Sequence, residues 1–211
     1  MGGILVINPN SSEQISAQIR NALSDFDSVT VVTSASGPSA IETDEDVLSS
    51  IDPMLVVAAS QPADAIVVAC FSDPGLDHLR AHTSTPVFGI AESAMQVALT
   101  AGSHLGVISS MKTSLPRHER YWERLGVSDS VVADIPLGLG VLELDTPEAE
   151  SRALWAGSQL IDAGADVIVL GCTGLTHMQE NLGEMLGVPV VDPCLATVET
   201  AEVTLAGRSV T

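Results

Sequence analysis

The stretch Ala63-Asp64-Ala65-Ile66-Val67-Val68-Ala69-Cys70 returns half a chain later as Ala165-Asp166-Val167-Ile168-Val169-Leu170-Gly171-Cys172. Six of the eight positions are identical or conservatively similar. Nearly the same offset carries Thr85-Pro86-Val87 onto Val188-Pro189-Val190 and Leu5-Val6-Ile7 onto Gly106-Val107-Ile108. A repeat of this length marks a duplicated structural unit. Each copy is a short apolar run of the kind buried in a parallel sheet.

Around these runs the chain alternates β-branched segments with longer amphipathic ones, the β-α-β pattern of helix-covered parallel sheets. Strands are expected at 4–7, 28–33, 65–69, 86–89, 105–108, 131–135, 167–170 and 189–191. Helices are expected at 11–23, 44–60, 74–81, 93–101, 114–125, 147–163, 176–186 and 196–205. The fold class is therefore α/β, with two similar parallel-sheet subdomains related by a pseudo-twofold axis.

With 211 residues, 45% of them apolar, the chain can bury a sizeable core, which excludes disorder. Eight basic against 27 acidic side chains give a net charge of −19. That excess repels phosphate backbones and anionic membranes, so neither nucleic acid nor membrane is expected as a partner. Its simplest use is solubility. No apolar run approaches the roughly twenty residues of a membrane span. The opening Met1-Gly2-Gly3-Ile4-Leu5-Val6 shows no basic segment, cleavage signal or myristoylation pattern, so a cytoplasmic protein is expected. Three cysteines, Cys70, Cys172 and Cys194, form neither zinc-ribbon spacing nor an even disulfide set, and reduced thiols are expected.

Cys70 and Cys172 each end a buried strand at the carboxyl edge, where open sheets bind ligands. Pseudo-twofold packing turns them toward each other. A single cysteine of this kind is usually core; two at matched positions, each followed by polar and glycine residues, point to chemistry. Inverting a carbon stereocentre without a cofactor needs a base on one face and an acid on the other, and two equivalent thiols suit that task. A position at a helix amino terminus is expected to lower the thiol pKa and enrich the thiolate. Phe71, Ser72, Thr173 and Gly174 follow the cysteines and offer donors for a developing oxyanion, although Ser72 and Thr173 could equally be helix caps. Asn8, in the turn Asn8-Pro9-Asn10-Ser11-Ser12, and its counterparts Ser109 and Ser110 are candidate ligand contacts. Ile41 and the Gly37-Pro38-Ser39 loop are candidates for lining the site.

Other signals are weaker. His78 and His82 lie four apart, but Leu79-Arg80-Ala81 between them supplies no glutamate, and no metal site is expected. Cys194 has no counterpart in the first half and reads as packing. Gly138-Leu139-Gly140 lacks the context of a nucleotide fingerprint and reads as a loop.

The segments I-L-V-I-N-P-N-S-S from Ile4, A-C-F-S-D-P-G-L from Ala69, P-V-F-G-I-A-E-S-A from Pro86 and V-L-G-C-T-G-L from Val169 resemble the aspartate/glutamate/hydantoin racemase superfamily. The hydantoin racemase branch is the most similar. This resemblance covers most of the chain. It implies two α/β subdomains, 1–98 with 195–211 and 99–194, and a site in the cleft between them. It implies Cys70 and Cys172 as catalytic acid/bases, no metal or organic cofactor, and a homo-oligomer. Ser72 stands where hydantoin racemases often carry an acidic residue, and Thr173 where they often carry alanine. The resulting G-C-T is similar to amino-acid racemases, yet Asn8 replaces the aspartate-serine pair common in glutamate racemases.

The leading expectation is cofactor-independent racemisation of a 5-substituted hydantoin or a related ureide such as allantoin, a small neutral substrate matched to amide and hydroxyl donors. Alternatives on the same fold are amino-acid racemisation, maleate-type cis-trans isomerisation and arylmalonate-type decarboxylation. A non-enzymatic ureide or amino-acid sensor is the alternative from a different class.

Overall fold

The computed structural model describes residues 3–208; the expected outer ends of the first subdomain, 1–2 and 209–211, lie outside the described residues. The chain runs β1 (Ile4–Asn8), α1 (Glu13–Ala22), β2 (Val29–Thr33), α2 (Asp44–Ser60), β3 (Ala65–Val68), α3 (Leu76–His82) and β4 (Val87–Gly89). It continues through α4 (Ile90–Ala101), β5 (Leu105–Ser109), α5 (Leu115–Leu125), β6 (Val131–Pro136) and α6 (Pro147–Asp162). It closes with β7 (Val167–Leu170), α7 (Gln179–Leu186), β8 (Val190–Val191) and α8 (Pro193–Arg208).

Two four-stranded parallel sheets result, ordered β2-β1-β3-β4 and β6-β5-β7-β8. The second order is the first displaced by four strands, so the duplication read from residues 63–70 and 165–172 extends to topology. Register repeats as well, with Ile4 opposite Ala65 in one sheet and Leu105 opposite Val167 in the other. Both cysteines thus emerge just beyond central strands, β3 and β7, beside the ends of β1 and β5.

Helix boundaries follow local chemistry. Ser12 caps α1 by accepting from the Ile15 N–H, and Thr43 with Asp46 forms a capping box on α2. Gly126 and Gly187, at φ 71° and 69°, end α5 and α7 in the left-handed conformation. Helix α3 starts two residues later than the expected 74, after a turn holding Asp73 at φ 43° and Gly75 at φ 64°. Helices α4 and α8 start three residues earlier than expected, α8 at a proline, which a first helical turn tolerates. A 3-10 helix, Thr173–Met178, precedes α7. Gly138–Gly140 is a loop, as read from the sequence.

Strand alternation divides the core. Leu5 and Ile7 join Met54, Leu76 and Leu79 beneath α2 and α3, while Ile4 and Val6 face the opposite way into a larger cluster. That larger cluster runs through α4 and α8 into both faces of the second sheet, so the two sheets share one continuous apolar interior. Helix α8 packs on α4 and also touches β3, β4 and α1. Among the described residues no helix is long and apolar enough to cross a membrane.

Met95, fully buried on α4, sits in the shared cluster. Met95→Ala is expected to destabilise the protein by about 2–5 kcal/mol. Urea unfolding checks this, and a loss below about 1 kcal/mol would contradict the shared-core description.

Candidate active site

The carboxyl ends of the two central strands open onto one cavity, and Cys70, Phe71, Ser72, Ser110, Cys172 and Thr173 line it. Cys70 and Cys172 line the same cavity, and a charge on Cys172 raises the pKa of Cys70. Repeat symmetry persists in their surroundings. The Ser72 N–H donates to the Cys70 sulfur, and the Gly174 N–H, at the matching position, donates to the Cys172 sulfur. Cys172 also receives the Thr173 and Ser110 hydroxyls. These donors favour thiolates.

Burial works against them and prevails. It pushes the Cys70 thiol up to about 12, helped by the facing Cys172, and the Cys172 thiol up to about 11. The sequence expectation of depressed values at helix amino termini is therefore corrected. Cys70 lies six residues before α3, beyond the reach of its terminal N–H groups. Cys172 does occupy the N-cap position of the Thr173–Met178 helix, but desolvation outweighs its hydrogen bonds together. Ser72 and Thr173 are not helix caps, since Gly75 and Cys172 occupy those positions.

Three expected contacts lie outside the cavity lining: Asn8, Ser109 and Gly174. Asn8 is fully buried and its amide is spent on the turn, donating to Asn10 Oδ1 at 3.1 Å, the Ser12 carbonyl at 3.1 Å and Ser16 Oγ at 3.0 Å. It shapes the turn, and Asn10 is the residue of that turn that reaches the cavity. Ser109 is equally buried and bonds Asp134 and His118. Gly174 contributes its N–H from beneath, in a position where a Cβ would press on Leu144 and the Val141 carbonyl. Ile41 lines the cavity, whereas 37–39 do not.

Sequence reading missed Glu42, Arg117 and His118, which also line the cavity. Arg117 and His118 stand on α5, which packs on β6 of the second sheet and reaches the first half of the chain through side-chain bonds to Ser72, Asp44 and Asp73. Arg117 Nε donates to Ser72 Oγ at 2.9 Å and its Nη1 pairs with Asp44 at 3.2 Å, while Arg120 reaches the same carboxylate at 2.9 Å. The Arg117 charge opposes the upward push on Cys70. Tyr121, one turn on, donates to buried Asp73 at 2.5 Å, and Asp73 also accepts from the Ala91 and Glu92 N–H groups at 3.0 and 2.8 Å. A Cβ on Gly89 would collide with that carboxylate, which is why glycine ends β4. The available signal was topological: α5 directly follows the end of β5, at the ligand-binding edge.

Elsewhere, His82 Nδ1 bonds the His78 carbonyl at 2.7 Å within α3. Among the described residues no three His, Cys, Asp or Glu side chains converge as a metal site. Cys194 is wholly buried in the core.

The Asp/Glu/Hydantoin racemase family profile matches residues 4–201. A hydantoin racemase of Rhizobium meliloti is 34% identical, spanning 96% of this chain and 88% of its own length. One from Paenarthrobacter aurescens is 32% identical, over 94% and 89%. The solved structure of allantoin racemase from Klebsiella pneumoniae superposes with a TM-score of 0.89 at 27% identity, covering 98% of this chain and 88% of that one.

With both thiols pushed above the ordinary range, each is predominantly protonated at neutral pH. Iodoacetamide labelling of Cys70 and Cys172 at pH 7.5 is expected to run at least about tenfold slower than that of free cysteine. The rate should climb steadily to pH 10. Peptide-resolved mass spectrometry checks both, and labelling as fast as free cysteine would contradict the burial argument.

Proposed function

The chain belongs to the Asp/Glu/Hydantoin racemase family, and from that membership we propose that it racemises a 5-substituted hydantoin or a related cyclic ureide such as allantoin. The observation that carries the reading is the pair of thiols on equivalent strand ends lining one cavity. A ring carbon bound between them has one sulfur on each face. One cysteine, as thiolate, takes the proton from that carbon while the electron pair moves into the adjacent carbonyl. The other cysteine, as thiol, returns a proton to the opposite face, and the two sulfurs exchange protonation states. With the reverse enantiomer their roles swap.

Both charged species find support. The Ser72 and Gly174 N–H groups stabilise whichever sulfur is ionised, and Arg117 favours a thiolate at Cys70. Hydroxyls of Ser110 and Thr173 and the Asn10 amide offer the neutral donors and acceptors that a ureide ring requires. The raised thiol values imply a rate that increases from pH 7 toward pH 9, since the thiolate is the minor species.

A second reading, amino-acid racemisation, draws on Glu42 and Arg117, a carboxylate and a guanidinium in the same cavity. Both are already engaged, Glu42 with the Val141 N–H at 3.0 Å and Arg117 with Ser72 and Asp44, which favours the neutral ring.

Enantiopure 5-benzylhydantoin and allantoin, followed by circular dichroism against an enzyme-free control, test the proposal. Ellipticity should decay to zero with the wild type. It should decay at least about 10³-fold more slowly with Cys70→Ser or Cys172→Ser, because serine is a far weaker acid and base at neutral pH. Decay with L-glutamate or L-aspartate alone would favour the second reading, and full activity in either serine variant would overturn the thiol roles.

A further inference from the structure

Resting on the ureide reading, we propose that His118 is a substrate-contacting residue whose Nε2 accepts a hydrogen bond from a ring N–H of the bound ureide. His118 lines the cavity beside the Cys70–Ser72 segment, yet its side chain is only 3% exposed. Its Nδ1 lies 2.7 Å from Asp134 Oδ2, and the other oxygen of Asp134 is held by the Ser109 hydroxyl. With Nδ1 turned to the carboxylate, Nε2 is the ring nitrogen left to meet a ligand, and it accepts through its lone pair whenever the imidazole is neutral. Nε2 has no hydrogen-bond partner among the described residues.

The ring cannot turn to find one. Phe71 packs against it edge-on at 5.5 Å and 77°, and Trp122 lies 5.4 Å away. Ser109, on β5, and Asp134, on β6, come from neighbouring strands, so the sheet itself sets the direction of the imidazole. Packing alone asks for none of this, because a phenylalanine would fill the same slot without burying three polar groups. An acceptor fixed at the wall of a cavity, adjacent to one of its two thiols, matches a ligand that presents an N–H in the plane of its ring. A cyclic ureide carries such an N–H on either side of a carbonyl. N-alkylated rings lack it and place a methyl group where the lone pair points.

The test compares 5-benzylhydantoin with its N1-methyl and N3-methyl derivatives. The proteins are wild type, His118→Phe, and His118→Phe combined with Asp134→Asn, the last removing both ends of the buried pair. The wild type should prefer the unmethylated ring over at least one methyl derivative by about tenfold or more in kcat/KM, the range expected for one buried hydrogen bond. Both variants should compress that preference to within about twofold, with KM rising on the unmethylated ring and kcat changing little. Variants that keep the wild-type preference, or a wild type without one, overturn the role of His118 while leaving the ureide reading intact. A wild type that turns over none of these rings overturns the ureide reading and this inference with it.

Discussion

Asp73 is a carboxylate buried three residues after Cys70, and much of the site depends on how it is satisfied. Burial pushes its pKa up to about 6, against the pull of three donors: the Tyr121 hydroxyl and the N–H groups of Ala91 and Glu92. Those donors come from α5 and from the start of α4, so one side chain joins the loop after Cys70 to a helix of the other sheet. Its own backbone sits at φ 43°, a conformation uncommon outside glycine and several-fold enriched for aspartate. Without this junction α5 would lose its buried anchor on the loop after β3. Exposed pairs such as Arg124 with Asp77 would hold it only weakly.

From that junction the cavity acquires its chemistry. Once α5 is tied to the first half of the chain, Arg117 and His118 line the same cavity as the two cysteines, whose thiols are buried. The resulting dryness has opposite effects on catalysis. It raises both thiols, which lowers the resting thiolate population, and it strengthens every hydrogen bond and charge aimed at the ionised states. The repeat supplies equivalent N–H donors to the two sulfurs; the surrounding charges differ, with Arg117 acting on Cys70 and Glu42 on Cys172. The two thiols are therefore matched in position and in N–H donors but differ in surrounding charge.

The sheets were legible because buried parallel strands read as uninterrupted apolar runs, and the repeat of 63–70 at 165–172 placed both cysteines at equivalent ends. What failed was whatever depends on tertiary placement. Asn8 reads as a ligand contact because an amide in a turn can face either way; the fold spends it on Asn10, Ser12 and Ser16. Ser109 likewise reads as a contact and instead anchors Asp134 and His118. Arg117 and His118 sit in a helix so charged that it resembles a solvated surface, and only its side-chain bonds to the first half of the chain turn one end inward. The thiol values were misjudged for the same reason: a helix terminus is visible in sequence, while desolvation is a property of the assembled cavity.

The central claim, that Cys70 and Cys172 serve opposite faces of one carbon, is tested most directly by solvent deuterium incorporation into each pure enantiomer by the two single cysteine-to-serine variants. Each variant retains a base on one face only. The account predicts that one variant labels one enantiomer, the other variant labels its mirror image, and neither inverts configuration. Equal labelling of both enantiomers by a single variant would contradict it.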